Sequence, residues 1–141
     1  MPDKTSLPPQ RWAEIQDYFK RTLDTDEMPD FWVKLAEHAP WVMDGYAHMR
    51  EGTLRDVKEG GALPKKVKEL VIVGMNIMQR NIWGIHAHVR AAVKDGATLQ
   101  EVVEVVALSI MSQGMVSYRL AGYEAIKAAE AAVAEFSGKG K

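Results

Sequence analysis

Residues 64–79 read PKKVKELVIVGMNIMQ, and this run decides the architecture of the chain. Its apolar side chains at Val67, Leu70, Val71, Val73 and Gly74 follow helical spacing, and Pro64 supplies a backbone angle suited to a first helical position. The segment predicts a helix ending near Gln79, apolar enough to be central. Beyond it, a second helix is expected from about Asn81 to Lys94, closed by Gly96, a residue type that accepts the left-handed conformation just past a helix end. Thr98 and Glu101 have the spacing of a capping box, which opens a helix reaching Gln113. Gly114 separates this from a last helix, about Val116 to Phe136, with an alanine-rich second half and a tail, SGKGK, expected to fray. Upstream lies the break Lys58-Glu59-Gly60-Gly61. Before it come a helix starting near Pro40 with Trp41, Val42, Tyr46, Met49 and Leu54, and a short helix marked by Phe31, Trp32 and Leu35. Ser6 followed by Pro8 and Pro9 reads as a helix start, and Trp12, Ile15, Tyr18 and Phe19 then share one face of a first helix reaching about Leu23. Alternating strand patterns are missing, so the fold is expected to be all-α, a compact multi-helix domain. The N-terminal portion (1–58) and the four-helix unit from Pro64 are read as sharing one core in a single domain, 1–141.

A chain of 141 residues can bury roughly two thirds of the surface of its unfolded form, so a packed core needs no covalent staples. The 18 Lys and Arg balance 19 Asp and Glu, leaving a formal charge of −1. That balance disfavours attachment to nucleic acid or to an anionic membrane through charge alone. There is no cysteine, which removes disulfides, thiolate metal sites and thiol nucleophiles. No run approaches the roughly 18 apolar residues of a membrane span, and no apolar stretch follows the N-terminal charges; a soluble, cytoplasmic protein is expected.

Four histidines stand at positions 38, 48, 86 and 88. His86 and His88 are two residues apart, so on a helix they point away from each other and do not bind one metal ion together. His88 shares a helical face with Gly84 and Asn81. Glycine inside a helix costs about 1 kcal/mol relative to alanine, so Gly84 implies either close helix packing or a cavity beside the imidazole. Glu69, set in an apolar run, needs a partner, because an unpaired carboxylate removed from water is expensive. Two readings are open: a solvated pair with Lys65 or Lys66, or a contact with His88 that orients the imidazole and favours its protonated form. Trp83, Met75, Met78, Met111, Met115 and Tyr118 recur at helical intervals and are expected mainly as core, although the eight methionines and four tryptophans also suggest an adaptable apolar surface. Arg90, Lys65, Lys66 and Arg119 are candidate carboxylate anchors, each better explained as a solvated surface charge.

From about Ala62 to Tyr118 the sequence resembles the carboxymuconolactone decarboxylase and alkylhydroperoxidase-like superfamily, through LPKKVKELVIVGMNIM, HVRAAVKDGATLQEVVEVVAL and the turn Ser112-Gln-Gly-Met115. In the redox branch of that family a glutamate precedes a Cys-x-x-Cys, and a histidine follows the second cysteine by four residues. Glu69 and His88 match the glutamate and histidine, whereas the cysteine positions hold Asn81 and Gly84. The resemblance therefore implies the thiol-free decarboxylase branch rather than a peroxidase. It implies a lyase, or a related proton-transfer enzyme, that needs neither metal nor organic cofactor and acts on a small carboxylic acid or lactone of aromatic origin. His88 would be the acid or base and Glu69 would orient it. Asn81 would bond a substrate oxygen in room left by Gly84, while His86, Trp83 and Tyr46 are candidate substrate contacts. A homo-oligomer, trimer or hexamer, is the corresponding expectation. The rival reading is a non-catalytic small-molecule-binding protein or partner subunit that retains the scaffold. A metal site would need a further ligand from another helix or subunit.

Overall fold

The computed structural model describes residues 6–139. The regular structure of those residues is all helical, as the apolar periodicity predicts, with no strand among them. The chain divides into two compact units, residues 1–55 and 56–141, close to the section boundary expected from the glycine-rich break.

The first unit holds α1 (Pro9–Leu23), α2 (Asp30–His38) and α3 (Pro40–Thr53). Prolines at the first positions of α1 and α3 occupy sites whose N–H groups have no helical acceptor in any case. The three helices share an aromatic cluster. Phe19 of α1 stacks edge-on against Trp32 of α2 at 4.4 Å between ring centres, and Tyr46 of α3 lies 6.0 and 6.2 Å from those two rings. Arg11 ties α1 to α3 through Asp44 at 2.6 Å and Glu51 at 3.5 Å.

The second unit opens with a capped turn rather than the plain break expected. Asp56 accepts from the Val57 and Lys65 N–H groups, and a single 3-10 turn (Val57–Glu59) runs to Gly60, whose φ is +93°. Then follow α4 (Lys65–Gln79), α5 (Ile82–Lys94), α6 (Leu99–Gln113), a single turn α7 (Met115–Ser117), a π-helical turn (Tyr118–Gly122) and α8 (Tyr123–Lys139). Pro64 caps α4 from just outside rather than standing inside it. The last helix departs from expectation twice. The π turn interrupts it near its start, and its C-terminal end continues through Ser137 and Gly138 to Lys139; Gly140 and Lys141 of the expected frayed tail lie outside the described residues.

The core of this unit is built from Val73 and Ile77 of α4, Ile85, Val89 and Val93 of α5, Val102 and Val106 of α6, and the alanine stripe Ala121, Ala125, Ala129 and Ala132. Small side chains on α8 let it approach α5 and α6 closely, which the alanine-rich composition anticipated. The expectation that α4 would be central holds for one of its faces. One face, with Glu69, Val73, Asn76 and Ile77, is buried; the other, with Val71, Met75 and Met78, is exposed and lines a groove of about 360 Å³ shared with Val105, Leu108 and Ser112 of α6.

Candidate functional site

Glu69 and His88 meet across the antiparallel pair α4 and α5. The imidazole Nδ1 lies 2.6 Å from Glu69 Oε2, with the glutamate side chain fully buried and the histidine retaining 8 % of its side-chain exposure. An ionised carboxylate only accepts, so Nδ1 donates and Nε2 is the nitrogen left for other chemistry. The alternative pairing of Glu69 with neighbouring lysines is overturned: Lys65 reaches Asp95, just past the end of α5, at 3.1 Å and Lys66 reaches Glu101 on α6 at 2.9 Å. These two bridges flank the first turn of α4. Glu69 Oε1 is buried without a hydrogen-bond partner, a condition that costs about 1–3 kcal/mol and in native proteins calls for a functional or structural reason.

The space beside Gly84 is occupied, which corrects the expected hollow. A Cβ at position 84 would fall 2.2 Å from Asn76 Oδ1 and 2.6 Å from Asn81 Nδ2. Asn81 is the N-cap of α5, its Oδ1 accepting from the Gly84 N–H at 3.0 Å while its Nδ2 donates to Asn76 Oδ1 at 2.8 Å. Asn76 Nδ2 in turn donates to the Ile72 carbonyl at 2.9 Å. The two amides thus lock the end of α4 to the start of α5 around Arg80, which adopts the left-handed conformation at φ 55°. Asn76 was not singled out from the sequence. The available signal was its position seven residues after Glu69, which puts a lone polar side chain on the same helical face inside an apolar run.

Residues 40–135 match the carboxymuconolactone decarboxylase family. The chain belongs to this family. The match begins well before the segment from Ala62 that carries the resemblance in sequence, taking in the whole of α3. The fold is similar to that of a crystal structure from Burkholderia xenovorans LB400, provisionally assigned as a carboxymuconolactone decarboxylase. The two share 29 % identity with a TM-score of 0.86, over 92 % of this chain and 96 % of that one. No curated protein matches the sequence.

In this member of the carboxymuconolactone decarboxylase family the other candidate residues are distributed as follows. His86 points away from His88, half exposed, with Nε2 3.3 Å from Glu124 Oε2. The Glu124 carboxyl is held below its usual range, first by the Lys127 ammonium and less strongly by His86. Trp83 is 39 % exposed, and Met75, Met78, Met111 and Met115 are exposed as well, so the expectation that these would be core is overturned; Tyr118 is partly buried and lies edge-on to Tyr123. Helical spacing showed that these side chains share faces but not which face meets water. Tyr46 belongs to the aromatic cluster of the first unit, and His38 and His48 are exposed. Among the suggested anchors, Arg90 makes a two-pronged pair with Glu135, and Arg119 is exposed. Among the described residues no group of three or more His, Asp or Glu side chains is placed to hold a metal ion.

Proposed function

We propose that this family member is a cofactor-independent lyase, decarboxylase-like, acting on a small carboxylic acid or lactone of aromatic origin. The observation that carries the reading is the buried bond between Glu69 and His88 Nδ1. In the proposed step the carbon–carbon bond to the substrate carboxylate breaks and its electron pair moves into the substrate's own conjugated system. His88 delivers the Nε2 proton to the carbon that receives the electrons, and carbon dioxide leaves. Glu69 keeps Nδ1–H in place through the cycle and so fixes which nitrogen exchanges protons. Asn81 is reassigned from substrate contact to helix cap, since both ends of its amide are already engaged.

The test is carbon dioxide release from candidate lactone and aromatic acids. His88→Ala is expected to lower turnover by about 10²–10⁴ in a protein that remains folded, and a loss under tenfold removes His88 from this role. A second reading, a non-catalytic binding or partner subunit, is favoured by the amides that fill the space at Gly84. Saturable binding of such acids with no carbon dioxide released would select it. Either reading is accompanied by a homo-oligomer, for which the exposed apolar face of α4 and α6 is the proposed contact, because a patch of this kind left in water favours self-association.

A further inference from the structure

The bond between Glu69 and His88 forms only at one register of α4 against α5, and a second bridge stands on the same two facing stripes. Asn76 follows Glu69 by seven residues, and Asn81 precedes His88 by seven. Seven residues are nearly two full turns, so each step returns to the same helical face about 10 Å along the axis. The Asn76–Asn81 bridge and the Glu69–His88 bond are therefore successive rungs of one antiparallel ladder.

The contacts that join the two helices differ in what they fix. Apolar packing among Val73, Ile77, Ile85 and Val89 draws α4 and α5 together but has no direction. Lys65 reaches Asp95 through a long flexible stem that follows small movements. The amide rung is stiffer. The Ile72 carbonyl only accepts and the Gly84 N–H only donates, so the orientation of both amides is determined from the two ends. Asn81 Nδ2 and Asn76 Oδ1 then meet at 2.8 Å, and the Asn76 carbonyl also accepts the Asn81 backbone N–H at 2.9 Å. Gly84, bare of a Cβ, lets this rung close. At the other rung Glu69 Oε1 has no partner, so the couple hangs on one hydrogen bond of 2.6 Å.

We propose that Asn76 and Asn81 are positioning residues for His88: their cross-helix amide bond fixes the register and separation of α4 and α5 at which Nδ1 meets Glu69. Its consequence for catalysis rests on the lyase reading, so the test reads the couple directly and not through turnover.

Nuclear magnetic resonance of the full-length protein with ¹⁵N-labelled histidine supplies the readout, and the His88→Ala spectrum identifies the signal. The wild-type Nδ1–H is expected far downfield, as a short bond to a carboxylate requires, and slow to exchange with water. Asn81→Ser keeps an oxygen that caps the Gly84 N–H but does not reach Asn76. It is expected to move the Nδ1–H upfield and to speed its exchange at least about tenfold, with an unchanged circular dichroism spectrum. Asn76→Ala is expected to do the same, and if it does not fold, Asn81→Ser alone decides. Thr98→Ala uncaps α6 at a cost of about 1 kcal/mol and controls for a general loss of stability; it is expected to leave the signal in place. An Nδ1–H unchanged in Asn81→Ser, or disturbed equally by Thr98→Ala, would overturn the assignment while leaving the couple intact. A wild-type protein without the downfield Nδ1–H would refute the couple itself, and the lyase reading with it.

Discussion

Glycine at position 84 is there because of what stands opposite it. The sequence offered close packing or a cavity as reasons for a helical glycine, and the structure selects the first, with the Asn76 amide lying where a side chain would go. Gly84→Ala gains about 1 kcal/mol of helix propensity but drives Asn76 and Asn81 from their shared bonds. A net destabilisation of about 1–3 kcal/mol is expected, read from the urea midpoint; an unchanged or raised midpoint would mean that the amides relax without cost. Glu69 and His88 were legible as a pair because the family motif fixes their separation, and because a carboxylate in an apolar run demands a partner. The filling at Gly84 was not legible. It depends on which rotamer Asn76 adopts across a tight turn, and spacing along a helix carries no such information.

Helix ends were the best-read elements, since their signals are local. The capping box at Thr98 and Glu101 and the left-handed Gly96 both stand where the residue types required. The π turn at Tyr118–Gly122 was missed because no residue type marks it. The outward face of α4 was misread because a helix apolar on all sides does not say which side is covered. The cap of α6 also titrates. The Glu101 carboxyl is held below its ordinary 4.5, first by the Thr98 N–H and then by the Lys66 ammonium. A group lowered on folding contributes stability above its ordinary value and loses it as the pH falls through the lowered one. Glu101→Gln is therefore expected to be less stable than the parent at pH 7, with the gap in urea midpoint closing as the solution is acidified below 4.5. A gap constant with pH would exclude the titration as its source.

Taken whole, the chain presents more apolar surface than its core accounts for, with Val71, Met75, Met78, Leu108 and Met111 all exposed along α4 and α6. If copies associate through this face, light scattering will give a multiple of the 15.7 kDa chain mass. The pair Met75→Lys and Leu108→Lys will then reduce it to a single chain while barely moving the circular dichroism spectrum. A wild-type protein already at the single-chain mass would refute the association. Both partners of the imidazole–carboxylate couple, and the amides that brace them, lie between Lys65 and Lys94, on two neighbouring helices joined by a single tight turn. The couple and its braces are therefore inherited as one contiguous stretch of sequence, and an exchange of segments that keeps this stretch intact passes all of them on together.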